Sequence, residues 1–309
     1  MKVVVSGGAG FIGSHVCDVL LAAGHRVLAL DNLSSGRREN LAPEVRLVVA
    51  DIRGREAAEL IRTERPDALL HLAAQMDVRR SVADPGFDAE NNILGLLNLL
   101  EACRRSGVGK VVFSSTGGAI YGEQETFPAP ETHPTRPVSP YGVSKAAGEL
   151  YLGYYRAQFG LRSVSLRYAN VYGPRQNPHG EAGVVAIFSE RLVRGEPCTI
   201  FGTGRQTRDF VYGLDVAQAN LLALEREVEG PINIGTGVET EVNTVHAHLA
   251  AAAGAAGVAP LYAEAKPGEQ LRSSVDPSLA ARVLGWTPRV PLVEGLGRTL
   301  AWFREQARP

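Results

Sequence analysis

The run Gly7-Gly-Ala-Gly-Phe-Ile-Gly13 constrains this chain more than any other stretch. It follows the apolar segment Val3-Val-Val-Ser6 and opens directly into a helical pattern. The run satisfies G-x-x-G-x-x-G through Gly7, Gly10 and Gly13, and G-x-G-x-x-G from Gly8. Glycines at this spacing allow a tight turn and close backbone approach, and the helix beginning at Phe11 and Ile12 offers unpaired N–H groups to a pyrophosphate. The strand, turn and helix context is what a dinucleotide-binding loop requires. Asp31 closes the second apolar run, eighteen residues after Gly13. Its carboxylate is placed to accept from ribose hydroxyls and to repel a 2′-phosphate, which favours NAD over NADP.

The same alternation of apolar runs and helical periodicity continues downstream. It predicts strands over 3–6, 26–31, 45–50, 68–72, 110–114 and 163–168, and helices near 12–23, 55–65, 89–106 and 141–159. Beyond 173 come a Pro/Gly/Asn-rich loop at 174–183, a helix to about 194, an apolar stretch at 198–201, and helices near 216–226, 242–253, 277–284 and 292–307. The expected fold is α/β, a Rossmann-type doubly wound parallel sheet with a smaller α/β C-terminal substrate-binding domain. NAD binding is expected at 1–173, with segments near 205–236 returning to that domain, and substrate binding mainly at 174–309.

A net charge of −1 argues against a nucleic-acid partner or a polybasic membrane contact. No stretch reads as a signal peptide or membrane span. Cys17, Cys103 and Cys198 are isolated and lack metal-ligand spacing, so reduced buried thiols, no metal and a cytoplasmic location are expected.

Chemistry-bearing residues cluster at the ends of the predicted strands. Asp51-Ile52 closes the third strand, where a carboxylate can meet an adenine edge or cap a helix. His71-Leu-Ala-Ala74 closes the fourth, and the run Leu72, Ala73 and Ala74 suits a cofactor lying across strand ends, with His71 read as a packed core histidine. Ser114, Ser115 and Thr116 close the fifth, as hydroxyls toward a ligand or as turn caps. Tyr141 and Lys145 stand four apart on a predicted helix and share a face, so the ammonium is expected to lower the phenol from its usual pKa of about 10.

Together with Asp31-Asn32, Arg167-Tyr-Ala-Asn-Val-Tyr-Gly-Pro174, Gly202-Thr-Gly-Arg-Gln-Thr-Arg-Asp-Phe-Val-Tyr212, Asn233-Ile-Gly-Thr-Gly237 and Pro267-Gly-Glu-Gln-Leu-Arg-Ser273, these motifs carry a resemblance over essentially the whole chain. The sequence resembles the extended short-chain dehydrogenase/reductases, specifically the nucleotide-sugar epimerases typified by UDP-glucose 4-epimerase. The resemblance implies that Tyr141 is the base, that Lys145 binds the nicotinamide ribose, and that Thr116 holds the C4 hydroxyl, with Ser115 second. It implies cofactor contacts at Gly7, Gly10, Phe11, Ile12, Gly13, Asp31, Asn32, Ser35, Gly36, Asp51, Ile52, Leu72, Ala73, Ala74, Asn91, Ser114 and Tyr168. Asn170, Arg208 and Glu269 match positions that hold the nucleoside diphosphate, and Thr199 and Phe201 match the stretch lining the uracil. Lys266 and Arg272 are further phosphate candidates, although arginine outnumbers lysine 28 to 4 and does not by itself mark a site. The implied substrate is a UDP-hexose, and the implied assembly is a homodimer through a four-helix bundle.

The implied chemistry is reversible C4 oxidation to a 4-keto sugar, rotation of the sugar and re-reduction. Family 4,6-dehydratases place Asp-Glu directly after the strand-five threonine, whereas here Gly117-Gly118 follows Thr116. A non-catalytic NAD-binding sensor predicts loss of Tyr141, Lys145 or the hydroxyl run, and all are intact. Ser273 is small where the family varies in bulk, which leaves room for an N-acetyl group at C2.

Overall fold

The structure, a computed structural model, describes residues 1–179, 183–255, 257–265 and 270–307. The chain begins β1 (Lys2–Ser6), α1 (Phe11–Ala22), β2 (Arg26–Asp31), β3 (Arg46–Val49), α2 (Arg55–Glu64) and β4 (Ala68–His71). Short helices α3 (Val78–Ala83) and α4 (Pro85–Ala89) lead to α5 (Gly95–Ser106), β5 (Lys110–Thr116), α6 (Pro140–Phe159) and β6 (Arg162–Tyr168). Then come β7 (Asn170–Tyr172), α7 (Val184–Val193), β8 (Thr199–Phe201), β9 (Thr207–Tyr212), α8 (Gly213–Glu225) and β10 (Gly230–Ile234). The chain closes with β11 (Glu239–Glu241), α9 (Val242–Ala253), β12 (Leu261–Ala263), α10 (Ser278–Leu284) and α11 (Leu292–Gln306).

Seven parallel strands form the central sheet in the order β10-β6-β5-β4-β1-β2-β3. Both faces are buried, which is why the strands read as unbroken apolar runs. Val3 and Val5 point into one core with α1 and α8, and Val4 points into the other with α2, α5 and α6. The strand order reverses between β1 and β4, and the crevice at that switch is where open α/β sheets bind ligands.

Beyond the short elements α3, α4, β7, β9, β11 and β12, which the sequence pattern does not mark, two features depart from the sequence expectation. The seventh strand, β10, was not predicted because Gly230-Pro231 reads as a turn; as an edge strand it tolerates the proline. The helix expected over 89–106 is interrupted by a π turn at Glu90–Leu94 that carries Asn91 and Asn92.

The later residues build a second core. Tyr172, Phe188, Val245, Leu249 and Leu300 bring together β7, α7, α9 and α11. Beside it lie a three-stranded sheet, β11-β9-β7, and the parallel pair β12-β8. Among the described residues, no helix is long and apolar enough to cross a membrane.

One buried polar cluster ties β5, β6 and β10, on one side of the main sheet, to α6. The Arg167 guanidinium on β6 forks onto the Glu149 carboxylate of α6 at 2.6 and 2.9 Å. Ser115 Oγ on β5 donates to the same carboxylate at 2.6 Å. Tyr121 accepts from Arg167 at 3.0 Å and donates to Asn233 of β10 at 2.7 Å. Removing one partner strands the other charge in the interior. Glu149→Ala is therefore expected to cost about 3–5 kcal/mol in denaturant-induced unfolding; a change below about 1 kcal/mol, the surface ion-pair value, contradicts this reading.

Candidate active site

The loop from Gly7 to Gly13 is shaped by contacts that admit no side chain. Gly7 has φ of 73°, and a Cβ there would lie 2.6 Å from the Ala73 nitrogen at the end of β4. A Cβ at Gly13 would sit 2.0 Å from the Gly7 carbonyl oxygen. Gly10 is the N-cap of α1, with no side-chain cap and no acidic residue in the first turn, so the leading N–H groups that include Phe11 and Ile12 are open to an anion. Leu72, Ala73 and Ala74 follow β4 alongside this loop as half-buried small or apolar residues.

Asp31 lies at the end of β2 and is buried. One carboxylate oxygen accepts from the Ala9 N–H at 3.0 Å and the other from the Leu33 N–H at 2.8 Å, which leaves lone pairs for ribose hydroxyls. The segment after β2 crosses back over the glycine loop. Arg37 N–H and Asn40 Nδ2 both donate to the Ala9 carbonyl, at 3.0 and 2.9 Å. Gly36 packs against Ala9 and the Asp31 carboxylate, while Asn32 and Ser35 are exposed on the same segment. These residues fit a dinucleotide: a bare anion-ready helix end, a ribose-facing carboxylate and a strap over the turn.

Asp51 does not cap α2, whose N-cap is Gly54. It accepts from the Arg53 backbone and guanidinium, with Asn32 at 3.4 Å, and the Arg53 side-chain hydrogen bonds hold its pKa down at about 2. Ile52 is buried beneath Gly95. His71 is a packed histidine, as expected: it shares a 2.7 Å hydrogen bond with Ser6, stacks on Phe113, and burial drives its pKa to about 3.

Helix α6 delivers Tyr141 and Lys145 to the carboxyl end of β5. Ser139 caps it by accepting from Gly142 N–H, and Pro140 occupies its first turn. Close contacts at Gly142 with the Ala119 carbonyl and at Gly148 with Phe113 let the helix lie tightly on the strand. Lys145 Nζ donates to the Ser114 carbonyl at 2.8 Å, sits 4.9 Å from the Phe113 ring centre and 5.8 Å from that of Tyr141. Burial draws the Lys145 pKa down to about 8, opposed by Asp88 and Glu149. The Tyr141 phenol moves the other way from the expectation based on spacing: burial, then Asp88, pushes it above the ordinary value. Lysine at i+4 is in place, but desolvation outweighs it in the protein alone.

Strand alternation separates the candidate hydroxyls. Ser115, the second candidate, faces α6 and its hydroxyl is engaged by Glu149 at 2.6 Å. Thr116 lies on the opposite face, accepts from Ala119 N–H at 3.2 Å, and borders the same gap as Asn170: a Cβ at Gly118 would be 3.9 Å from both side-chain oxygens. Tyr168 is buried opposite Thr116 on β6, with its hydroxyl bonded to Asn220 at 2.8 Å. Asn91 in the π turn donates to the Phe87 carbonyl at 2.7 Å.

In the smaller sheets, Arg208 lies on β9 and donates to the Thr207 carbonyl at 2.8 Å, while Thr199 and Phe201 share a face of β8. Arg272 already has protein partners: Glu239 takes its fork and Phe127 lies beneath its guanidinium at 3.9 Å. Lys266 and Glu269 lie outside the described residues. Two residues that local pattern did not single out organise the site. Asp209 is buried and accepts from Thr236 and Gly237, pinning the glycine turn after β10 to the strand bearing Arg208. Asp88, fully buried beneath α6, accepts from Gln75, Asn92 and Ser144. Replacing Gly13 with alanine forces a Cβ into the Gly7 carbonyl, so Gly13→Ala is expected to weaken NAD binding at least about tenfold in equilibrium dialysis, a loss of 1.4 kcal/mol or more; unchanged affinity contradicts the cradle.

A family model described as the NAD dependent epimerase/dehydratase family matches residues 3–235. The UDP-glucose 4-epimerase of Mycolicibacterium smegmatis is 46% identical over 314 residues, covering 100% of both chains. Among solved structures, the Thermotoga maritima UDP-glucose 4-epimerase with UDP-glucose superposes with a TM-score of 0.96 at 48% identity, over 100% of each chain. The Thermus thermophilus UDP-glucose 4-epimerase complex with NAD gives 0.92 at 50% identity, over 98% of this chain and 99% of that one. On this evidence the chain belongs to the NAD dependent epimerase/dehydratase family.

Proposed function

We propose that this protein is an NAD-dependent isomerase that interconverts UDP-glucose and UDP-galactose by C4 oxidation to a 4-keto sugar, rotation and re-reduction. The observation that carries the proposal is the placement of the Tyr141–Lys145 helix at the carboxyl end of β5, where Lys145 Nζ donates to the Ser114 carbonyl at 2.8 Å on the strand that ends in Thr116. NAD supplies the hydride acceptor and donor. Tyr141 takes and returns the C4 hydroxyl proton, Thr116 positions that hydroxyl, and Lys145 holds the nicotinamide ribose and stabilises the tyrosinate. Burial raises the Tyr141 phenol above its ordinary value, and the oxidised cofactor, when bound beside it, would supply a positive charge that favours the tyrosinate. Net redox is zero, so retention of the cofactor matters, and the strap through Arg37 and Asn40 serves it.

Elimination by a 4,6-dehydratase is disfavoured by packing as well as by composition. A Cβ at Gly117 would lie 2.6 Å from Val275 Cγ1, which leaves no space for an acid there. We assign cofactor binding to residues 1–173 with segments near 205–236, in keeping with β10 in the main sheet, and nucleotide-sugar binding mainly to 174–309. Asn170, Arg208, Glu269 and Lys266 are the diphosphate contacts we assign, with Arg272 joining only by sharing its fork with Glu239. Leu150 and Tyr154 are exposed on α6, with the exposed Phe159 ring 5.7 Å from that of Tyr154, and this apolar surface supports a homodimer through a four-helix bundle of α5 and α6. Buried free Cys17, Cys103 and Cys198 support a cytoplasmic location.

Separate incubations with UDP-glucose, UDP-galactose and UDP-GlcNAc, resolved by chromatography, test the assignment. C4 epimers are expected from all three, the last because Ser273 is small and buried; a 4-keto-6-deoxy product contradicts epimerisation, and inactivity on UDP-GlcNAc alone contradicts the role of Ser273. Tyr141→Phe should lower turnover by about 10²–10⁴-fold while NAD stays bound.

A further inference from the structure

We propose that Asp88 is the counter-charge and positioning residue of the Tyr141–Lys145 pair. The inference rests on the catalytic reading of that pair. Asp88 sits on α4, fully buried, in the layer beneath the first turns of α6. Its carboxylate accepts from Ser144 Oγ at 2.6 Å, Asn92 Nδ2 at 2.9 Å and Gln75 Nε2 at 3.0 Å. Among the described residues, these three hydrogen-bond partners are all neutral, so hydrogen bonding satisfies the oxygens without cancelling the charge. A buried anion without a cation partner is costly. Both Tyr141 and Lys145 interact electrostatically with it, and Ser144 is the residue preceding Lys145.

The groups around the ammonium identify Asp88 as the effective anion. β5 presents the Ser114 carbonyl and the Phe113 ring, and β4 presents His71, which burial and Lys145 keep neutral. On its own helix, Lys145 has Tyr141 and Glu149, but Glu149 is neutralised by the Arg167 fork at 2.6 Å. Asp88 also fixes the geometry. Asn92, which it binds, holds the Gln75 backbone through N–H and carbonyl at 2.8 Å each, and so anchors the chain leaving β4. Ser81, on the neighbouring α3, accepts from the Tyr141 N–H at 3.2 Å. One carboxylate thus keeps Lys145 protonated and docks the α3–α4 segment on the helix bearing the base.

Neutralising Asp88 removes the support for the ammonium and the repulsion against the phenolate, so both titrations shift to lower pH. The chain has four lysines, which makes the side-chain carbons resolvable by NMR after labelling lysine with carbon-13, and Lys145→Arg assigns the signal. In the NAD-loaded protein, Asp88→Asn keeps the size and most hydrogen bonds. It is expected to lower the Lys145 midpoint by about 1 pH unit or more and to move the alkaline limb of kcat with it. Asp88→Ser, smaller and neutral, is the second variant should Asn disturb folding, and must shift the midpoint in the same direction. An unchanged midpoint overturns the proposal. So does lost activity with an unmoved midpoint and pH profile, which is what a purely structural role produces. The titration needs no substrate, so inactivity of the unsubstituted protein on every nucleotide sugar counts against the epimerase assignment and leaves the Asp88 result readable.

Discussion

The buried ammonium of Lys145 sets the terms on which the rest of the site is built. A desolvated cation is tolerated only where its donors are used and an anion offsets it. The Ser114 carbonyl at 2.8 Å takes one of the ammonium's three donors. Reaching it requires α6 to pack closely on β5, and Gly148 leaves out the side chain that would strike Phe113 on that strand, while Gly142 does the same against Ala119 just beyond it. The Arg167–Glu149–Ser115 cluster then locks helix and strand from the same face. Because β5 alternates, that lock turns Ser115 inward to the helix and leaves Thr116 facing the gap bordered by Asn170.

The dinucleotide cradle obeys a separate constraint, the absence of space. Gly7 presses on the end of β4 and Gly13 on Gly7, so a pyrophosphate has bare backbone to meet. Asp31 and Asn40 reach the loop from the opposite side through the N–H and carbonyl of Ala9. An enzyme that returns every hydride it removes must retain its cofactor, and a loop tied on both sides of one residue suits that need. The two constraints meet at the switch point between β1 and β4.

Most of this was legible in the sequence where the physics is local. Strands buried on both faces are contiguous apolar runs, so β1 to β6 could be placed to within about two residues. The short strands β7, β9 and β11 lack that mark, and β10 begins with a glycine and a proline that local pattern assigns to a turn. Tyr141, Lys145, Thr116 and the glycine loop stand in compact motifs whose spacing carries their geometry. Asp88 stood in no motif, and its meaning exists only once α4 is packed beneath α6. The Tyr141 phenol shows the same limit: its spacing from Lys145 is visible in the sequence, but the depth of burial that overrides the lysine belongs to the tertiary structure.

The central claim is that one hydride leaves C4 and returns to C4 within a single site. UDP-glucose carrying deuterium at C4 tests it most directly, with the label located in the products by NMR. Retention of deuterium at C4 in both UDP-glucose and UDP-galactose is the predicted result. Deuterium at C6, or its loss to the medium, would contradict the account.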